Sequence, residues 1–122
     1  MRLSILLIVM TMASVSAAQT PAAPGGQPAA PAGNAENGKK IYTSYGCYQC
    51  HNYAAHGGGA GPRLAPKPIA FEAFTRYVRK PSGEMPPYTA KVVSDRELAD
   101  IYAFLLTIPE PPAASSIPIL KP

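Results

Sequence analysis

The sequence predicts an all-α fold, small and built from three or more short helices. Three observations lead there. Three separate segments repeat their apolar residues at helical spacing with recognisable caps, no segment alternates as a strand does, and the proline-rich stretches lie outside those segments. The chain has 122 residues, fifteen of them proline and ten glycine, so there is room for one domain with a modest core.

The N-terminus reads as an export leader over residues 1–18. Arg2 provides the positive flank, and the stretch from Leu3 to Val9 is almost wholly apolar. Val15-Ser16-Ala17 and Ser16-Ala17-Ala18 both satisfy a small-x-Ala cleavage rule, which predicts a cut after Ala17 or Ala18. A spanning helix needs about 20 apolar residues, and this run is interrupted by Ser4, Thr11, Ser14 and Ser16. Residues 19–33 are Pro, Ala, Gly and Gln with one Thr. They hold no large apolar side chain and predict a flexible or polyproline-like linker.

The domain is expected over 34–109. Its first helix should start at Asn34, a good N-cap, and run through Ile41 to about Tyr45. The second is expected over about Ile69 to Arg79, with Pro68 at a first helical position. Phe71, Phe74 and Val78 make its buried face, and Pro81 ends it. The third opens on Ser94-Asp95-Arg96-Glu97, a capping box, and Leu98, Ile101, Leu105 and Ile108 mark one face with Phe104 beside it. Pro109, Pro111 and Pro112 then stop the helix, leaving 110–122 as a proline-rich tail. Three short helices make a thin core, and domains of this size usually need a staple, a metal or a cofactor.

Composition narrows the function classes. Arginine and lysine exceed aspartate and glutamate by 11 to 7, a net charge of +4 that falls to +3 once Arg2 leaves with the leader. No basic run is longer than Lys39-Lys40 or Arg79-Lys80, which speaks against nucleic-acid binding. The two cysteines lie three apart, and a disulfide across so short a loop would restrain little chain entropy. Their purpose is therefore chemical.

The decisive string is Cys47-Tyr48-Gln49-Cys50-His51. C-x-x-C-H is the attachment signature of a c-type haem. Two thiols at this spacing can each add to one haem vinyl group, and the next residue then presents an imidazole to the iron. A thioredoxin-like redox pair would need a βαβ pattern that is absent. A zinc site would need a second C-x-x-C, or would have to crowd His51 and His56 with both cysteines into ten residues. For the opposite face of the iron, Met85 is the sole methionine remaining after the leader, set in Gly83-Glu84-Met85-Pro86-Pro87-Tyr88. The prolines stiffen that strap, and a methionine in such a loop, rather than on a helix face, favours ligation over core filling. His56 is too near His51 to reach the other face easily and is expected to be an exposed loop residue. Gly57-Gly58-Gly59-Ala60-Gly61-Pro62 lacks the ending and preceding strand of a phosphate loop. It is read instead as backbone turning closely past a cofactor.

From about Ala35 to Pro109 these residues resemble class I cytochrome c, the His/Met-ligated monohaem fold. Gly38-Lys39-Lys40-Ile41-Tyr42 is similar to its first helix, Gly61-Pro62-Arg63-Leu64 to its Gly-Pro-x-Leu, Met85-Pro86-Pro87-Tyr88 to its ligand loop, and Ile101-Tyr102-Ala103-Phe104-Leu105 to its last helix. The resemblance implies a small cytochrome c fold around one covalent haem c, held by Cys47 and Cys50, with His51 and Met85 on the iron. It implies a Pro62 carbonyl that accepts from the proximal histidine and a Leu64 that packs on the ring. It also implies that Gly38 permits the last helix to cross the first, with Tyr42 near Phe104. Only 33 residues separate His51 from Met85, so the loops of the longer mitochondrial forms are absent.

The function expected is electron transfer rather than enzymatic catalysis: a periplasmic single-electron carrier whose iron cycles between ferric and ferrous states. Its partners would be redox proteins, a quinol-oxidising complex or dehydrogenase as donor and an oxidase or reductase as acceptor. No nucleic-acid partner is expected, and membrane contact would come only through partners or an uncleaved leader. Lys39, Lys40, Arg63, Lys67 and Arg79 are candidates for steering an acidic partner. The alternatives are a haem c subunit of a larger dehydrogenase or oxidase and, further off, a haem peroxidase or ligand sensor.

Overall fold

A computed structural model describes residues 29–120, the side chain of Leu120 excepted. The leader expected over 1–18 and most of the linker expected over 19–33 lie outside the described residues. Four α-helices and no strands occur among the described residues: α1 (Ala35–Ser44), α2 (Tyr48–His51), α3 (Phe71–Arg79) and α4 (Asp95–Thr107). The all-α fold is as the sequence predicted.

Helix α1 starts where its cap dictates. The Asn34 side chain accepts the N–H of Asn37 at 3.0 Å, and Tyr45 closes the other end. Helix α4 carries the full capping box: Ser94 Oγ accepts the Glu97 N–H, and the Glu97 carboxylate accepts the Ser94 N–H at 2.7 Å. Such a cap contributes about 1 kcal/mol. Helix α3 begins two residues later than the periodicity suggested. Its first backbone bond runs from Phe74 N–H to the Ala70 carbonyl, while the Ile69 carbonyl accepts the Tyr102 hydroxyl at 3.1 Å. That bond holds the entry extended, so Pro68 precedes the helix rather than opening it and the Ile69 side chain is exposed.

Helices α1 and α4 cross and form the main contact of the fold. Gly38 is the reason they can. A Cβ there would collide with the Asp100 carbonyl of α4, so only glycine allows this approach. On one side of the crossing Tyr42 meets Phe104, ring centroids 5.4 Å apart. On the other, Phe71 sits edge-on to Tyr102 at 5.2 Å, and Phe74 tilts against the same ring. Helix α4 is thus covered from two directions. Leu98, Ala99, Ile101, Tyr102, Phe104 and Leu105 are all buried, and each large apolar side chain so buried contributes about 1.5–3 kcal/mol.

Asp100 is also buried, in the α1–α4 contact. Its Oδ1 accepts the Asn34 N–H at 2.7 Å and its Oδ2 accepts the Asn37 side-chain amide at 2.8 Å. Arg96 adds a longer contact at 3.8 Å. The carboxylate thus satisfies the backbone N–H of the N-cap Asn34 at the start of α1, where helix ends favour negative charge. Ordered packing also begins before Asn34: Ala30 lies against the core and Gly33 against the Ala99 backbone. Small residues at the end of the expected linker fit where large ones could not. Beyond α4 the tail forms two 3-10 turns, Ala114–Ser116 and Pro118–Leu120, with Ile119 exposed. The proline spacing stops an α-helix but tolerates these single turns.

Candidate cofactor site

The C-x-x-C-H string forms its own helical turn, which periodicity could not reveal because it is only four residues long. Cys47 has helical backbone angles and caps α2. Positions i, i+3 and i+4 share a helix face, so Cys47, Cys50 and His51 are presented together. Both cysteines are free thiols of intermediate exposure. Burial pushes the Cys47 thiol up, partly opposed by a backbone hydrogen bond and reinforced by Cys50. A redox-exchange cysteine of the thioredoxin kind needs a lowered thiol pKa, so the environment argues against that use.

His51 is buried, and its Nδ1 lies 2.8 Å from the Pro62 carbonyl oxygen. A carbonyl can only accept, so Nδ1 carries the proton and Nε2 keeps its lone pair for a metal. The loop from Asn52 to Ala65 is folded back to make this contact. Gly61 N–H donates to the Cys50 carbonyl, Gly57 N–H to the His51 carbonyl, and both Leu64 and Ala65 N–H groups to the Ala55 carbonyl. At Gly61 a Cβ would stand 2.6 Å from His51 Nδ1. The glycine-rich stretch does turn closely past the site, and its close approach is to the imidazole.

Leu64, Met85 and Tyr88 are partly buried apolar side chains packed against the core, as are Cys47, Tyr48 and Phe71. Met85 is half-buried on its loop. These residues fit a haem: two free thiols on one helical turn, an imidazole held through Nδ1, and apolar side chains, Met85 among them, left partly uncovered. The open pocket lined by Asn34, Glu36, Asn37, Lys40, Arg96 and Asp100 is polar and contains none of these residues. It belongs to the Asp100 contact, not to this chemistry.

Two expectations need correction. His56 is not exposed: it is half-buried, and its Nε2 is buried with no hydrogen-bond partner among the described residues. The backfolded loop carries it inward, with the Asn52 amide on the Gly57 carbonyl at 2.6 Å. Arg79 is not a free surface cation. Its side chain is 21% exposed and bonds the carbonyls of Tyr88 and Val93 and the Asp95 carboxylate. Lys40 and Lys67 carry exposed ion pairs with Glu36 and Glu110, while Lys39 and Arg63 are exposed. Sequence reasoning missed the supporting roles of Asn52, Arg79 and Tyr88. An arginine in a last helical turn reads simply as a complement to the helix dipole.

A small helical domain with a C-x-x-C-H turn, whose histidine is held by a neighbouring carbonyl, defines a c-type cytochrome. Residues 33–105 match the family model described as cytochrome c oxidase, cbb3-type, subunit III, and the chain belongs to that family. Comparison with curated proteins and with solved structures yielded no match. One haem c is therefore attached covalently through Cys47 and Cys50, and the domain serves haem-based electron transfer with redox partner proteins or within a complex. Cytochrome c domains are usually exported. No helix among the described residues is long and apolar enough to cross a membrane.

Proposed function

We propose that the protein is an exported single-electron carrier whose haem iron is ligated by His51 and Met85. The observation that carries this reading is the commitment of His51 Nδ1 to the Pro62 carbonyl. It leaves one ring nitrogen, Nε2, for the metal and holds the imidazole plane, a contact that also tunes ligand basicity. Met85, on a proline-stiffened loop, would supply the second ligand. Leu64, partly buried beside Pro62, would pack on the haem ring. When bound, the haem supplies one-electron ferric/ferrous chemistry, with a Met/His pair raising the reduction potential.

The chain's own residues then have limited tasks. With His51 and Met85 both holding the iron, no open site would remain for a substrate, and neither residue would have to move a proton. One electron arrives from a reduced donor protein and leaves to an oxidised acceptor, with no bond made or broken. The leader over 1–18 would place this exchange in the periplasm, with 34–109 as the working domain between a linker and a tail. Candidate donors are a quinol-oxidising complex or a dehydrogenase, and candidate acceptors an oxidase or reductase. The family match favours a second reading, a haem c subunit held within an oxidase. Co-purification with a haem–copper oxidase core would support the subunit, and recovery as a free monomer the carrier.

The test of ligation is optical. The ferric protein should show a methionine-to-iron charge-transfer band that disappears in Met85→Ala, and the potential of that variant should fall. A c-type spectrum indifferent to the substitution would remove Met85 from the iron and move the protein towards a ligand-binding or peroxidase role.

A further inference from the structure

The loop that carries Met85 has little to hold it in place by itself. It runs from Lys80 to Ser94 between α3 and α4, without a helix or strand. Pro81, Pro86 and Pro87 have no N–H to give. No other backbone N–H from Pro81 to Pro87 makes a hydrogen bond among the described residues. A segment with so few internal bonds opens at low cost unless its ends are fixed.

Its ends are fixed. Three residues before Met85, the Ser82 carbonyl accepts the Tyr77 hydroxyl at 2.8 Å. Three residues after it, Tyr88 is tied at three points. Its N–H donates to the Val78 carbonyl at 3.0 Å, its hydroxyl donates to the Tyr45 carbonyl at 3.0 Å, and its own carbonyl accepts Arg79 Nη1 at 2.8 Å. The same Nη1 reaches the Val93 carbonyl at 2.6 Å, and Nη2 meets Asp95 at 2.6 Å. One guanidinium thereby joins the end of α3, the returning arm of the Met85 loop and the start of α4. Its fork geometry suits this and a lysine's single ammonium does not.

We propose that Arg79 is a positioning residue for the sixth ligand: by clamping the Tyr88 and Val93 carbonyls it keeps the Met85 loop closed and sets how readily the methionine leaves the iron. The proposal rests on the reading of Met85 as the axial ligand. Most of the effect belongs to the bonds to the two carbonyls. Asp95 is 80% exposed, and surface ion pairs of that kind contribute little.

Imidazole measures the opening directly, because an added ligand binds only the open state and its apparent affinity scales with the open fraction. Ferric holoprotein is titrated with imidazole while the methionine charge-transfer band is followed. Loss of two charge-assisted bonds in Arg79→Gln should raise the apparent affinity by about tenfold or more. Arg79→Lys should fall between it and the wild type. Asp95→Asn, which keeps both carbonyl bonds, and Lys80→Gln, which removes an exposed neighbouring charge, should each stay within about twofold. An Arg79→Gln affinity within about twofold of wild type overturns the proposal, as does an equal shift in Lys80→Gln, which would make it a charge effect. Should Arg79→Gln fail to accumulate as holoprotein, Arg79→Lys decides alone: no increase overturns the proposal. If Met85→Ala leaves the band unchanged, the ligation reading fails and takes this inference with it. If the band needs Met85 but is indifferent to Arg79, the inference alone fails.

Discussion

Asp100→Asn should destabilise the domain at neutral pH and much less in acid. The buried carboxylate accepts the Asn34 N–H through one oxygen and the Asn37 amide through the other. These bonds, with Arg96 adding a smaller push, hold its carboxyl below the ordinary carboxylate range against the opposing effect of burial. An asparagine offers one acceptor oxygen, so its NH2 group must face one of the two donors. Asn34 and Asn37 line an open polar pocket, so a displaced donor can turn to water. What is lost is the excess of a charge-assisted bond over a neutral one, about 1–2 kcal/mol. At roughly 4–8 °C per kcal/mol for a domain of this size, Tm should fall by about 4 °C or more. The sign with pH follows from the lowered carboxyl. Its stabilisation is fully present above the unfolded value, near pH 4, and is lost as pH falls through the lower folded value. Guanidinium unfolding of both holoproteins, followed by far-UV circular dichroism at pH 7 and at steps below pH 4, gives the difference directly. A gap below about 0.5 kcal/mol at pH 7, or a gap that persists undiminished in acid, would refute the account.

The other structural expectations concern the same helices. Gly38→Ala should cost about 1–3 kcal/mol or more, since a Cβ collides with the Asp100 backbone and the crossing must open; denaturant unfolding checks it, with unchanged stability counting against the close approach. Ser94→Ala removes the oxygen that accepts the Glu97 N–H and should cost about 0.5–2 kcal/mol by the same assay, with little change in the haem spectrum.

The legible parts of the molecule were those in which one local signal decides the outcome. Asn34 and Ser94 are polar caps with the right residues downstream, and α1 and α4 begin where those caps place them. Leu98, Ile101 and Leu105 repeat at helical spacing, and all three are buried. The C-x-x-C-H string specified covalent attachment because its spacing has a chemical reason. What the sequence withheld depends on contacts far apart along the chain. The entry to α3 is set by a bond from Tyr102, 33 residues away, which overrode the preference of Pro68. Nothing in the sequence singled out Asp100, whose partners are 63 and 66 residues distant. His56, expected to be exposed, and Arg79, a candidate for steering a partner, are both drawn in for a related reason. Burial of a polar side chain is decided by where the neighbouring loop folds back, and nothing in its local composition says so.

These long-range contacts divide the domain into two regions with different demands. The α1–α4 crossing is close-packed at Gly38 and tied by Asp100, so it has few alternative arrangements. The segment that holds His51 in place, residues 52–65, and the one that carries Met85, residues 81–93, have no regular structure and depend on a few side chain–backbone and loop bonds. Asn52 fastens the first at the Gly57 carbonyl, while Tyr77, Arg79 and Tyr88 fasten the second. A haem electron-transfer domain benefits when its ligands stay in place between redox states, because each displacement adds to the energy needed to reach the transfer geometry. Loops can satisfy that demand only if something rigid holds them. In this fold the rigidity originates in the helix crossing and reaches the donors through these few hydrogen bonds, so substitutions at the anchors should act on ligand exchange before they act on helix content.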